Sequence, residues 1–167
     1  AIFSNYSQQD TFYKNDGAGN LIFSNNLSGN THRTNALTQG DIDNDGDIDI
    51  VTGVFNRNNK VFFNDGAGNF SGNNDVSSMD NSTFDIQLAD MDNDGDLDLV
   101  VANDGDANYL FKNNGSGSFS ATVTLDGANN NSQALLLLDV NFDQRLDILL
   151  GNRNSADQII VSDTYDS

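Results

Sequence analysis

The chain contains short loops with aspartate at alternate positions, a pattern that can bind a metal cation. The loop that starts at Asp41 reads Asp-x-Asp-x-Asp-Gly-Asp-x-Asp, and a second loop with the same pattern starts at Asp90. Such spacing turns alternate carboxylates inward, and a hard cation such as Ca²⁺ takes about six to eight oxygen ligands. Both loops are therefore predicted to bind calcium.

Within each loop, positions one, three, five and nine are assigned side-chain oxygens, and position seven a backbone carbonyl with its own carboxylate facing solvent. Glycine at position six permits the sharp reversal of the chain. The ligand set of the first loop is Asp41, Asp43, Asp45, Asp47 and Asp49. That of the second loop is Asp90, Asp92, Asp94, Asp96 and Asp98. Because the carboxylates repel one another without the ion, calcium binding and folding are expected to be coupled.

A third loop, starting at Asp139, departs from this pattern because Gln144 replaces the glycine and Arg145 adds a positive charge. Its candidate residues are Asp139, Asn141, Asp143, Arg145 and Asp147. Either its oxygens still bind calcium, more weakly, or Arg145 pairs with the carboxylates in place of the metal. The third site is predicted to be weaker or absent.

The start of the pattern also occurs in EF-hands, which supply a bidentate glutamate at loop position twelve. This chain has Thr52 and Val101 there, and the sequences that flank the loops are typical of strands. An EF-hand is therefore disfavoured.

The loops belong to an internal repeat, since Asp41, Asp90 and Asp139 are spaced 49 residues apart. A second marker, Asn-Asp-Gly-Ala-Gly-Asn at Asn15 and Asn64, keeps the same step and recurs in altered form at Asn113. Each unit contains four short apolar segments separated by turn residues, which predicts a four-stranded antiparallel meander. Units of about 40–50 residues with four strands are typical of β-propeller blades. An all-β, propeller-type fold is predicted.

This periodicity divides the chain into four parts: the N-terminal strands of a preceding partial blade in residues 1–33, and repeats in residues 34–82, 83–131 and 132–167. The last repeat is expected to lack its fourth strand. Propellers close with about four to eight blades, so the chain is predicted to be incomplete as a closed ring. It would be a fragment, half of a two-chain ring, or a subunit whose open edge accepts a strand from a neighbour.

The charge balance narrows the choice of partners. Lys and Arg number 7 against 25 acidic residues, a net charge of −18, and every acidic residue is aspartate. Aspartate favours turns and metal loops over helices. A strongly negative chain repels phosphate backbones and anionic lipid, so we expect no nucleic-acid partner. No apolar run approaches the length of a membrane span, so no membrane insertion is expected.

Extracellular placement is expected, because open calcium sites of this kind fill at millimolar calcium. The first residues, Ala1-Ile2-Phe3, include neither an initiator methionine nor a basic leader segment. This fits numbering that starts after a removed signal peptide, or a fragment.

The acidic loop, the apolar strand after it and residues 59–70, Asn-Lys-Val-Phe-Phe-Asn-Asp-Gly-Ala-Gly-Asn-Phe, resemble the FG-GAP/VCBS repeats. That family includes integrin α-subunit propellers, fungal propeller lectins and bacterial surface proteins. The resemblance covers about residues 10 to 162. It implies that each repeat is a propeller blade with calcium in the loop between its first two strands.

No catalytic arrangement can be assembled from the sequence, since the chain has one histidine, His32, no cysteine, and carboxylates already assigned to metal. The chain is interpreted as a module for assembly or adhesion, with self-association, strand exchange or other blade chains as partners. A lectin is the alternative, because residues 54–59 and 103–108 offer Arg57 and several asparagines to a glycan or cell-surface ligand. A polysaccharide-active enzyme is the third hypothesis.

Overall fold

The structure is a computed structural model of the 167-residue chain, and it describes residues 1–4, 8–27, 32–127 and 131–162. This described part contains β-strands and no α-helix, so the all-β class expected from the repeat is confirmed. The strands are β1 Ile2–Phe3, β2 Thr11–Asn15, β3 Leu21–Asn26, β4 Thr34–Gly40, β5 Asp49–Arg57, β6 Lys60–Asn64, β7 Phe70–Asp75, β8 Asn81–Ala89, β9 Asp98–Asn103, β10 Tyr109–Asn113, β11 Phe119–Thr124, β12 Ser132–Leu138, β13 Asp147–Asn152 and β14 Gln158–Ile160.

Within each repeat, strands that follow one another in the chain pair antiparallel, which produces four successive meanders in the described part of the chain. The strands β4–β7 and β8–β11 form two complete meanders of four, and β1–β3 and β12–β14 form meanders of three. A short pairing of β5 with β8 joins the two complete ones. The described sheets do not close into a ring, so the predicted array of incomplete propeller-like blades is confirmed.

The first meander contains one strand that the sequence pattern did not predict. In β1, Ile2 is opposite Phe12 and Phe3 is opposite Thr11. Val51 is opposite Val61 in the same way, one 49-residue step later. The short β1 is therefore equivalent to the middle of β5.

The turn between the third and fourth strands of a meander is held by aspartate and glycine. In residues 64–69 the Asp65 Oδ1 accepts hydrogen bonds from the backbone N–H groups of Ala67 and Asn69, both at 3.0 Å. Gly66 and Gly68 adopt φ values of 76° and 74°, in the left-handed region that glycine enters without steric penalty. This local chemistry explains why the Asn-Asp-Gly-Ala-Gly-Asn marker recurs with the repeat.

Adjacent meanders share three apolar cores, one at each junction. Side chains alternate along β9, so that Leu99 and Val101 face the β4–β7 sheet while Val100 and Ala102 face the β12–β14 sheet. All six residues of β9 are buried, as expected for a strand covered on both faces. The acidic loops lie between β4 and β5, β8 and β9, and β12 and β13. The candidate metal ligands therefore lie at the same end of each of these sheets, in the loop between its first two strands.

Candidate metal centres

The first aspartate of each acidic loop holds the loop in its reversed shape. Asp41 accepts the N–H of Asp45 on Oδ1 at 3.1 Å and the N–H of Gly46 on Oδ2 at 3.0 Å. Gly46 adopts a φ of 94° and Asn44 a φ of 61°. Asparagine and glycine tolerate this left-handed backbone better than most residues do.

The last aspartate of the loop is anchored from two directions. Asp49 is fully buried at the start of β5. Its Oδ2 accepts the N–H of Ile42 at 3.0 Å, and its Oδ1 accepts the N–H of Asn64 at 2.8 Å. These two backbone donors fix the carboxylate relative to both the loop and the end of β6.

Three carboxylates converge in each of the first two loops. Oxygens of Asp41, Asp43 and Asp49 lie within 4.8 Å of one another, and the equivalent aspartates of the second loop do the same: Asp90, Asp92 and Asp98. Asp43 Oδ1 and Asp92 Oδ1 are buried and accept no hydrogen bond in the described structure. A buried carboxylate oxygen without a partner carries a large desolvation cost. A cation among the three carboxylates removes this cost, so the residues present fit a metal.

The pKa values of three aspartates in these clusters are raised by burial and by the neighbouring carboxylates. Burial raises the pKa of Asp43 above its ordinary value, and the neighbouring Asp45 charge raises it further. Burial also raises the pKa of Asp49. For Asp98, burial raises the pKa to about 6, against the opposing hydrogen bonds from Asn113 and Met91. The ionised clusters are thus unfavourable until a cation neutralises them.

Aspartates at positions five and seven accept hydrogen bonds from the loop backbone or from the preceding repeat. Asp45 Oδ1 accepts the N–H of Asp47 at 2.9 Å, and Asp94 has the same contact with Asp96. The carboxylate of Asp96, expected to face solvent, instead accepts a hydrogen bond from Asn44 Nδ2 at 2.7 Å. The converging sets therefore comprise positions one, three and nine, without position five.

A lysine distinguishes the second loop from the first. Lys112 Nζ lies 3.2 Å from Asp92 Oδ2, whereas the repeat-equivalent residue of the first loop is Phe63. This positive charge partly neutralises the second cluster. A bound cation at the second loop therefore has a competitor that the first loop does not have.

The third loop retains the backbone hydrogen bonds of the first two loops, but its carboxylates do not converge as theirs do. Asp139 accepts the N–H groups of Asp143 and Gln144, and Asp147 is held by the N–H groups of Val140 and Ser162. Among the described residues, the groups of three converging carboxylates are those of the first two loops.

Local hydrogen bonds stabilise the ionised carboxylate of Asp143 in the third loop. Hydrogen bonds from the Arg145 N–H and the Asn141 amide lower the pKa of Asp143, with a smaller contribution from the Arg145 charge. Gln144 adopts a φ of 71° and Phe142 a φ of 63°, a strained backbone for side chains of this size. These contacts favour the weaker or absent third site over a site equal to the others.

Family comparison agrees with this geometry. The family profile described as FG-GAP-like repeat matches the chain twice, over residues 41–101 and 90–150. The chain belongs to the FG-GAP-like repeat family. Each FG-GAP-like match begins at the first aspartate of an acidic loop and extends through the next loop into the strand that follows it. No curated protein matches the chain significantly.

Sequence reasoning missed the residues that bind one FG-GAP-like repeat to the next at these loops. Asn113 and Asn44 both bridge successive repeats. The contact of Lys112 with Asp92, within the second repeat, was missed as well. Asn64 and Asn113 each follow the last loop aspartate by 15 residues, which is a signal the repeat contains. The spacing alone does not indicate what their side chains contact.

Several asparagines that were expected to bind sugar hydroxyls instead make buried hydrogen bonds within the fold. Asn59, Asn103 and Asn108 are buried. Asn59 Oδ1 accepts the N–H of Val54, and Asn108 Oδ1 accepts the N–H of Asn103. These side chains close the turns after β5 and β9, so they are not available to a glycan.

Calcium affinity of the second loop is expected to fall as the pH is lowered from 7 to 5. The metal requires an ionised carboxylate, and burial raises the pKa of Asp98 to about 6. Metal-free stability should change in the opposite direction. Folded Asp98 retains its proton where an unfolded aspartate of pKa about 3.9 has lost it, so the free energy of unfolding should decrease as the pH rises from about 4 to 6.

Calcium titration and urea unfolding in calcium-free buffer, each at pH 5 and pH 7, measure the two opposite trends. A metal-free chain that is more stable at pH 7 than at pH 5 would contradict the assignment.

Proposed function

We propose that this chain is a calcium-binding module of an extracellular FG-GAP-like repeat protein that acts in assembly or adhesion. The observation that supports calcium binding most directly is the buried, unpartnered oxygen in each of two converging clusters, on Asp43 and on Asp92. FG-GAP-like repeats are typically extracellular and non-enzymatic. Among the described residues, no helix is long and apolar enough to cross a membrane.

The donor set favours calcium over other metals. Both clusters consist of carboxylate oxygens alone, whereas zinc and copper sites use histidine or cysteine. Magnesium demands a stricter octahedral geometry and keeps several waters. When bound, the ion would neutralise the three carboxylates and hold the strands on either side of the loop together.

Isothermal titration of the metal-free chain with CaCl₂ tests the assignment. Heat for two ions per chain is expected, with a weaker response to MgCl₂. An absence of calcium heat would overturn the calcium assignment.

The assembly part of the proposal rests on the β12–β14 meander, whose outer face is exposed among the described residues, whereas the equivalent face is buried in the preceding repeats. Leu136, Leu149 and Ile159 lie opposite one another in adjacent strands. Leu136 is 48% exposed and Ile159 is 58% exposed. The residues equivalent to Leu149 and Ile159 in the two preceding repeats are fully buried against the next sheet: Val51, Val61, Val100 and Leu110.

The first meander exposes the complementary face. Tyr13 and Phe23 are cross-strand partners in edge-to-face contact, and Leu21 shares their side of β3. The residues equivalent to Tyr13 are buried in the junction cores, namely Phe62 and Phe111. We infer that the last meander of one chain packs against the first meander of a second copy, as successive meanders pack within the chain. Such a heterologous contact produces rings or filaments.

Replacing Ile159 with aspartate is expected to abolish this head-to-tail association, because it places a charge in an apolar contact. Ile22→Asp is a matched control: Ile22 is 57% exposed, and it lies on the opposite side of β3 from Leu21 and Phe23. Sedimentation velocity at several protein concentrations in calcium distinguishes the outcomes. We expect oligomers for the wild type and for Ile22→Asp, and monomers for Ile159→Asp. A wild-type monomer at about 50 µM would contradict assembly, since a stable module should associate at micromolar concentrations.

Binding of an acidic carbohydrate is a second candidate function, supported by a polar pocket of 370 Å³ beside the turn that follows β5. It is lined by His32, Arg57, Asn58, Lys60 and Asp80. Asn58 Oδ1 is buried and accepts no hydrogen bond from the described residues.

Arg57 and Lys60 of this pocket have no basic counterparts in the second repeat, and Lys60 is paired with Asp75 at 2.5 Å. The second repeat has Asn81, Asp106 and Tyr109 at the positions of His32, Arg57 and Lys60. A structural requirement of the fold would recur in each repeat, so this local difference favours recognition of a carboxylate. Retention on immobilised uronic-acid oligosaccharides, compared with neutral ones, tests this candidate. Equal retention on both would exclude it.

A further inference from the structure

Asn113 contacts both acidic loops from the end of β10. It is buried, and its backbone N–H donates to Asp98 Oδ1 at 2.9 Å. Its side-chain Nδ2 donates to the carbonyl oxygen of Ile42 at 2.7 Å and to that of Leu97 at 3.2 Å. One residue therefore contacts a candidate ligand of the second loop and the backbone of the first loop.

The contact with Ile42 continues to a ligand of the first loop. Ile42 is fully buried, and its N–H donates to Asp49 Oδ2 at 3.0 Å. Three hydrogen bonds thus connect Asp98, through Asn113 and Ile42, to Asp49. Every residue of this chain of contacts is buried, where hydrogen bonds are least weakened by water.

A second bridge joins the same two loops. Asn44 Nδ2 donates to Asp96 Oδ1 at 2.7 Å and lies 3.4 Å from the carbonyl oxygen of Gly115. Asn44 belongs to the first loop and Asp96 to the second. The two loops are therefore in contact at an exposed point as well as through the buried chain.

We propose that Asn113 is a positioning residue shared by the two metal loops, and that it couples them so that filling one site raises the affinity of the other. The proposal rests on the calcium binding proposed above. An ion at the second loop fixes Asp98, Asp98 fixes Asn113, and the Asn113 amide holds the Ile42 carbonyl in the first loop. Part of the ordering required at the first loop is then already complete when its ion arrives, which is positive cooperativity.

The third repeat lacks this bridge. Ser162 is the equivalent of Asn113, and its N–H makes the same contact with Asp147 Oδ1 at 2.9 Å. Its hydroxyl donates a hydrogen bond to Asp143 Oδ2, in the loop of the same repeat, at 3.2 Å. A serine side chain is too short to donate to the preceding loop as Asn113 does. Coupling is therefore confined to the first two loops.

The serine of the third repeat supplies the test substitution, Asn113→Ser, which retains the backbone donor and removes the amide. Asn64→Ser is the matched control. Asn64 holds Asp49 and the Ile48 carbonyl in the same way as Asn113 holds Asp98 and the Leu97 carbonyl, but its hydrogen bonds to the described residues stay within the first repeat.

Calcium titration calorimetry of both variants and the wild type measures the coupling. In the wild type the second ion should bind about fivefold more tightly than the intrinsic affinity of its empty loop. Asn113→Ser should lose most of this cooperativity, with only the exposed Asn44–Asp96 contact left between the loops, while Asn64→Ser should weaken the first loop and retain cooperativity. Two independent sites in the wild type would overturn the coupling and leave calcium binding intact, whereas an absence of calcium heat would overturn the proposed function itself.

If Asn113→Ser folds poorly, Asp92→Asn provides a second route. Disabling the second loop in this way should reduce calcium affinity at the first loop about fivefold if the loops are coupled. Unchanged affinity at the first loop would overturn the coupling.

Discussion

Chelation of calcium is expected to lower the melting temperature of the chain by about 10–20 °C. A ligand at about 100 times its dissociation constant stabilises the folded state by about 2.7 kcal/mol per site, so two sites contribute about 5 kcal/mol. For a chain of this size, each 1 kcal/mol shifts the melting temperature by about 2–4 °C. The effect is large because the metal-free clusters contain mutually repelling carboxylates, two of them with buried, unpartnered oxygens on Asp43 and Asp92.

Thermal melts followed by circular dichroism, in millimolar CaCl₂ and after addition of EGTA, measure this shift. The same concentration of MgCl₂ is the control, and it should restore only part of the stability lost on chelation. Melting temperatures that agree within about 2 °C in calcium and in EGTA would show that the clusters are tolerated without an ion.

Asp43→Asn is expected to change stability in opposite directions with and without calcium. In saturating calcium it should lower the melting temperature by about 5–10 °C, because one site of about 2.7 kcal/mol is lost. Without calcium it should raise the melting temperature by about 1–3 °C, because it removes a crowded charge. Burial and the Asp45 charge raise the pKa of Asp43, which identifies it as a carboxylate held under repulsion.

Asp80→Asn is the charge-matched control for this experiment, since Asp80 is exposed and lies outside the three loops. It should shift the melting temperature by less than about 2 °C in both buffers. A fall of equal size for Asp43→Asn in both buffers would indicate a packing role for Asp43 in place of metal binding.

The meanders and the positions of the acidic loops could be predicted because local chemistry repeats with the 49-residue period. Asp65 and the two turn glycines form a turn by themselves. The β-branched residues Ile50, Val51 and Thr52 mark β5 in the same way. By contrast, β1 has two residues and no turn signal of its own. Its assignment depends on pairing with β2, which a pattern search along the chain does not detect.

The side-chain contacts between successive repeats could not be predicted from the sequence. The amide of Asn113 donates to the Ile42 carbonyl across 71 residues of sequence. Asn44 and Asp96 meet across 52 residues. The repeat pattern predicts that successive units pack, but it does not fix which side chains meet, because the relative placement of two sheets depends on all the side chains between them. The spacing of the aspartates predicts the two carboxylate clusters, whereas the hydrogen bonds that connect the clusters are seen only in the three-dimensional structure.

Each junction core is built by two successive meanders, so no meander encloses an apolar core of its own. Gain or loss of one whole 49-residue period by gene duplication or deletion would therefore bring the same two kinds of face together again. An insertion of one residue within a strand would instead turn the following side chains to the opposite face of the sheet and expose apolar groups. Tandem copying is thus the route by which such a chain can change length and keep its interior intact.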